Sequence, residues 1–182
     1  MRVGCAYLLV VIFFTMLASC SNNTKNRLTE GSDTVFITQR DDGTISLDVE
    51  KATCYHNRTD PSLNTAEWSI KISKPGRYGV WLISAAKDTM DLGYKAPVRV
   101  DFNGERLEVK PVGNKIVKNS REVKSPYYRA ESFVGSFYVQ NPGEYNIQVI
   151  SEKIIALDNK ANWQNEPVNT MLMSVMLTPM SK

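Results

Sequence analysis

The chain has 182 residues, with 22 lysines and arginines against 19 acids, one histidine and three cysteines. A formal charge of +3, with no block of five or six like charges, gives no electrostatic case for nucleic acid. One histidine and so few thiols exclude a histidine cluster or a thiolate metal site.

The chain starts basic at Arg2 and runs uncharged through the twelve residues from Ala6 to Leu17. As a helix that run is about 18 Å long at ~1.5 Å per residue, against a hydrocarbon core of roughly 30 Å. A basic start, a short apolar stretch and a small-residue cleavage site define a secretory signal over residues 1–19. Leu17-Ala18-Ser19-Cys20 resembles the bacterial lipobox, which implies cleavage before Cys20 and lipid on its thiol. Each buried methylene is worth ~0.8 kcal/mol, so two or three acyl chains would hold the mature chain on a bilayer without a spanning helix. Ser21 stands where the best-known inner-membrane retention signal has an aspartate, so the expected location is the outer membrane if the source is Gram-negative. Residues 20–33 read as the lipidated cysteine and a polar tether, whose flexible part has an r.m.s. span of roughly 20 Å.

From Thr34 to the C-terminus the pattern is short, alternating and β-rich, and 34–182 reads as one domain. Thr34 to Thr38 and Ile45 to Glu50 flank the turn Asp41-Asp42-Gly43. Trp68, Ile70 and Ile72 alternate with Ser69 and Lys71 up to the Pro75-Gly76 turn, and Tyr78 to Ser84 follows as a more fully buried strand. Val98, Val100 and Phe102 lead to Asn103-Gly104, the strongest hairpin signal in the chain, with Leu107 and Val109 beyond it. Phe133 to Gln140, the turn Asn141-Pro142-Gly143, Tyr145 to Val149 and finally Met171 to Thr178 repeat the plan. About nine short strands without a helical period predict an all-β, antiparallel β-sandwich. Trp68 and Trp81 lie within strands and are expected in its core. Cys54 has no partner in the mature chain, so stability must come from that core and not from disulfides.

Three stretches resemble the galactose-binding-like jelly rolls found as carbohydrate-binding modules: Asp42 to Ala52, Trp68 to Leu82 and Phe137 to Ile147. The likeness is to modules related to families 6 and 35 and to those appended to bacterial α-L-fucosidases. Its marks are Lys74-Pro75-Gly76-Arg77-Tyr78 and Pro142-Gly143-Glu144-Tyr145. Packing alone explains both, since the turns need Pro and Gly and the Tyr fills the sandwich edge. The resemblance therefore implies a fold more than a ligand.

In such jelly rolls sugar sites commonly sit in loops at one end, with flat aromatic faces and amides or carboxylates. The stretch Glu152 to Asn169 holds Asp158, Asn162, Trp163 and Asn165, the best such constellation in the sequence. The competing expectation is that Trp163 folds back over the sandwich edge. Tyr127 and Tyr128, after Pro126, either extend that platform or anchor their own loop. The resemblance also implies a structural calcium held by carboxylates two apart. Asp48 and Glu50 match that spacing, and period two puts them on one strand face. Relatives usually complete such a site from the final strand, but Met171 to Met176 carries no carboxylate, so an exposed strand face is the other reading. No cofactor is required. Cys54-Tyr55-His56 is a thiol–imidazole neighbourhood without a visible orienting group or oxyanion hole.

The expected function is therefore that of a lipid-tethered, non-catalytic carbohydrate-binding module at a bacterial cell envelope. Its partners would be the bilayer, a glycan and envelope proteins. The alternative is an envelope interaction or assembly lipoprotein whose sandwich face docks a protein without binding sugar. Exposed aromatics gathered in a loop-end cleft would favour the first, and aromatics spread over a flat face the second.

Overall fold

The structure, a computed structural model, describes residues 35–155 and 168–181. Residues 34–182 form one compact unit. Eleven strands are described: β1 (Ile37–Thr38), β2 (Ile45–Asp48), β3 (Thr53–Tyr55), β4 (Thr65–Ile72), β5 (Gly76–Ala86), β6 (Val98–Phe102), β7 (Glu105–Val109), β8 (Lys115–Val117), β9 (Tyr128–Val139), β10 (Gly143–Ile150) and β11 (Thr170–Pro179). Two single-turn 3-10 segments, Val49–Lys51 and Pro61–Leu63, interrupt them.

The strands make two layers. One sheet runs β1-β4-β10-β6-β7, with β3 also paired to β4, and the other runs β2-β11-β5-β9-β8. Pairing is antiparallel except for β1, which lies parallel to β4. The expected all-β sandwich is what forms, with two more strands than the periodicity indicated. β3 and β8 are three residues each, too short to show an alternation.

Period-two alternation decides what each layer buries. In β4, Ala66, Trp68, Ile70 and Ile72 point inward, and Ile147 and Val149 of β10 and Val98 and Val100 of β6 join them. The second sheet answers with Ile45, Leu47, Val80, Leu82, Val175 and Leu177. Each such side chain, fully buried, contributes roughly 1.5–3 kcal/mol. Trp68 is 2% exposed, and its Nε1–H donates to the Asp48 carbonyl at 2.9 Å, so the indole enters the core with its polar atom satisfied.

The turns divide into two kinds. Asn103 (φ 48°) and Gly104 (φ 82°) close the β6–β7 hairpin within one sheet, the left-handed pair a two-residue turn requires. Pro75-Gly76 and Pro142-Gly143 instead carry the chain from one sheet to the other, β4 to β5 and β9 to β10. These arches give the jelly-roll character. Among the described residues, no helix is long and apolar enough to cross a membrane.

Candidate functional site

The second sheet has an inner face in the core and an outer face that is partly open. Alternation puts Ser46 and Asp48 of β2, Ser174 and Met176 of β11, Trp81 and Ile83 of β5, and Glu131 and Phe133 of β9 on that outer face. Cross-strand register aligns Ser46, Met176, Trp81 and Phe133 in one row, and Asp48, Ser174, Ile83 and Glu131 in the next.

One end of this face is a groove of about 870 Å³, within the size range of small-molecule sites. Its apolar lining includes Met171, Met173, Met176 and Ile83. A bulge between Leu172 and Ser174 in β11 turns the strand there, which lets closely spaced methionines line one cavity. The charged lining is balanced: Arg40, Lys51 and Arg129 against Asp48, Glu50 and Glu122.

Arg129 is the most constrained of these groups. Its Nη1 meets Glu122 Oε1 at 2.9 Å and its Nη2 meets Glu131 Oε1 at 3.1 Å, while Lys115 Nζ lies 3.4 Å from Glu131 Oε2. The Arg129 and Glu131 side chains are 17% and 10% exposed, so both charges are largely desolvated and held by each other. Arg129 Nε is buried without a hydrogen-bond partner among the described residues. This network fixes the guanidinium plane at the groove wall.

Asp48 and Glu50 both line the groove, but not as two positions of one strand face. β2 ends at Asp48, and Val49–Lys51 turns as a 3-10 segment, so period two no longer applies to Glu50. Asp48 Oδ2 is paired with Lys51 Nζ at 2.8 Å, and opposite it β11 supplies Ser174. Among the described residues no group of three His, Cys, Asp or Glu side chains is placed to hold a metal. Two carboxylates, one already paired to an ammonium, fall short of the six to eight oxygens calcium takes. Among the described residues, these two do not by themselves fit that ion.

Tyr127 and Tyr128 lie next to Arg129 in sequence and divide in role. The Tyr127 hydroxyl donates to the Val168 carbonyl at 2.7 Å, and Lys87 Nζ sits 5.2 Å from its ring centre, so Tyr127 ties its loop to the chain entering β11. Tyr128 opens β9 and is 37% exposed. Cys20, Asp158, Asn162, Trp163 and Asn165 lie outside the described residues. The described chain reaches Ile155, itself a groove residue, and resumes at Val168.

Trp81 corrects the expectation of a core position. It is partly exposed on the outer face and packs on Phe133, with ring centres 5.0 Å apart and planes at 54°. Phe133 is 38% exposed. The run Tyr78 to Ser84 looks uniformly apolar, and that is why periodicity could not assign its faces. The methionines carried a usable signal, since Met171 stands next to the inward Leu172 and Met176 falls between the inward Val175 and Leu177. Arg129 and Glu131 gave none, because their pairing depends on the groove wall.

Cys54 is partly buried, with Sγ 3.9 Å from the Val49 carbonyl, and burial pushes its thiol up. A thiol held protonated is a poor nucleophile.

The comparisons bear on the fold. No family model matches the chain, and neither does any curated protein. The α-L-fucosidase from Vibrio sp. strain EJY3 superposes with a TM-score of 0.61 at 22% identity, over 79% of this chain and 24% of that one. This chain thus has the fold of about a quarter of that enzyme. A GH26-CBM35 β-(1,4)-mannanase from Podospora anserina gives a TM-score of 0.45 at 16% identity, over 78% of this chain and 28% of that one. A CBM35 from Cellvibrio japonicus Abf62 gives 0.36 at 12% identity, over 76% and 94%. Those two superpositions are too partial to add to the first. The first superposition shows the fold alone: a two-sheet β-sandwich shared with part of that fucosidase.

Proposed function

We propose that this chain is a non-catalytic carbohydrate-binding lipoprotein of a bacterial cell envelope, held by lipid on Cys20 with the sandwich standing off on residues 21–33. The observation that carries the reading is the groove on the outer face of the second sheet. It combines a cavity of about 870 Å³, an apolar methionine lining and balanced carboxylate and guanidinium groups. Sugars present both apolar C–H faces and arrays of hydroxyls, and a hydroxyl donates to carboxylates and accepts from guanidinium. The raised Cys54 thiol and the pairing of Arg129 with Glu122 and Glu131 support binding in place of turnover.

Trp163, Asn162, Asn165 and Asp158 are proposed to contribute from the stretch between Ile155, which lines the groove, and Val168, whose carbonyl accepts from Tyr127. The full chain in detergent micelles, presented to a broad glycan array, is expected to bind, and Arg129→Ala or Trp163→Ala to weaken retention at least tenfold. Silence across the array would end the carbohydrate reading.

One observation favours the alternative of protein docking. Phe133 and Tyr138 are 38% and 55% exposed and lie along β9, not in a loop-end cleft, and Met180, just past β11, is 43% exposed. An envelope protein that crosslinks to a photoreactive residue at position 138 in cells, joined to silence on the array, would establish it.

A further inference from the structure

We infer that Trp81 and Phe133 are a stacking platform for a neutral, extended polysaccharide laid across the strands of the second sheet, with the groove as its adjoining polar subsite. The inference rests on the carbohydrate-binding reading and names its ligand class.

The pair is built into the sheet. Trp81 and Phe133 are direct partners in the β5–β9 ladder, and the register shift at that point leaves Val134 as the extra residue. A bulge of this kind bends the strand and re-aims its side chains, which here puts the two rings on one face in contact. Thr178, Gly79 and Ser136 face one another across three strands, and a Cβ at Gly79 would stand 3.4 Å from the Phe133 ring and from Met180 Sδ. Gly79 is buried, with the Phe133 ring and Met180 packed at it, and the partly exposed Trp81 and Phe133 rings offer an apolar surface beside Thr178 and Ser136.

The platform is continuous with the groove. Ser46, Met176, Trp81 and Phe133 share one row, and Ser46 and Met176 also line the groove. At ~4.8 Å per strand that row is roughly 14 Å long, more than one sugar ring requires. Among the described residues three cationic and three anionic side chains line the groove, so those groups together present no net charge to a ligand. A polyanion would meet as much repulsion as attraction, whereas a hydroxyl array can pair with both signs.

Affinity electrophoresis of the full chain in detergent micelles tests this, in native gels cast with galactomannan, arabinoxylan, mixed-linkage β-glucan or polygalacturonate. Retardation is expected from at least one neutral polymer. It should fall at least tenfold in Phe133→Ala, return in Phe133→Tyr, and persist in Lys71→Gln on the opposite sheet. A hexasaccharide of the retarding polymer should compete at least tenfold better than its disaccharide. Because Phe133→Ala also removes packing from Trp81, a second readout follows tryptophan emission during hexasaccharide titration. In a Trp163→Phe background, which removes the other tryptophan proposed at the site, the change in emission should vanish in Trp81→Phe. Retardation that survives Phe133→Ala, equal competition by the disaccharide, or an emission change that survives Trp81→Phe in that background overturns the platform while leaving carbohydrate binding standing. Retardation by polygalacturonate alone overturns the neutral ligand class. No retardation in any gel overturns both the platform and the reading beneath it.

Discussion

Gly135 shows how far one residue can be held by its neighbours. Its φ is +147°, and a Cβ there would lie 3.0 Å from Leu107 Cδ2 and 3.1 Å from Cδ1. Leu107 belongs to the first sheet and Gly135 to the second, so the glycine permits a close approach between layers as well as an unusual backbone. Gly135→Ala is expected to cost about 2 kcal/mol, seen as a lower thermal midpoint with the sandwich fold retained. Tyr94 is held differently. Its hydroxyl is buried against Ser84 Oγ at 2.8 Å, and burial pushes the phenol up to about 12, with the Glu152 charge adding and the Ser84 bond opposing. Above pH 10 the unfolded chain ionises this tyrosine while the folded chain keeps it protonated. Its contribution is therefore complete below pH 10 and lost between pH 10 and about 12. Unfolding free energies from denaturant titrations across that interval should fall by on the order of 2 kcal/mol in the wild type. In Tyr94→Phe that part of the slope should be missing, and at neutral pH the variant should be weaker because Ser84 loses its partner.

At the scale of elements, hairpins and arches look alike in sequence and differ in consequence. Asn103-Gly104 needs positive φ at both residues, and nothing lies within 4 Å of a Cβ at Gly104, so the cost of Gly104→Ala is backbone strain alone. That cost, about 1 kcal/mol, falls on an edge strand. Hydrogen exchange should accelerate in the amides of Glu105–Val109 before it does in β4 or β5. The Asp48-Glu50 spacing was legible as two residues of a strand, but the strand ends between them. Residues 49–51 turn because Val49 goes inward, 8% exposed, and the Ala52 N–H closes on the Val49 carbonyl at 3.2 Å. Two carboxylates that do not share a strand face and do not gather a third acid predict a thermal midpoint unchanged by EDTA. A fall of the midpoint with chelator, restored by calcium, would return that ion to the fold.

For the whole molecule, the proposed function assigns location and binding to different parts of the chain. Cys20→Ala is expected to lose labelled palmitate and to leave the membrane pellet, while the sandwich keeps its melting midpoint. A variant that stays in the pellet would show that something other than this lipid holds it. The layers themselves explain how much could be foreseen. Alternation in β4, β6 and β10 marks inward residues one by one, because each of those strands has one face in the core and one toward solvent. β5 hid its faces, since Ile83 and Ala85 are 1% and 4% exposed although they sit outside the main core. Arg129, Glu131 and Met171 pack over that outer face, and Trp81 emerges where their cover ends.

The sequence alone determined the β class, the turn positions, the side on which most strand residues fall and the expectation of a lipid at Cys20. These follow from local rules: a period of two, the chemistry of Gly and Pro, and the pattern of a short apolar run before a cysteine. Tertiary structure alone decided which sheet each strand joins, that Trp68 is core and Trp81 is not, and that Asp48, Glu50, Arg129 and three methionines share one groove. Those outcomes depend on cross-strand register and on two bulges that shift it. Register is a contact between residues far apart in the chain, and period two carries no information about which distant strand will supply it.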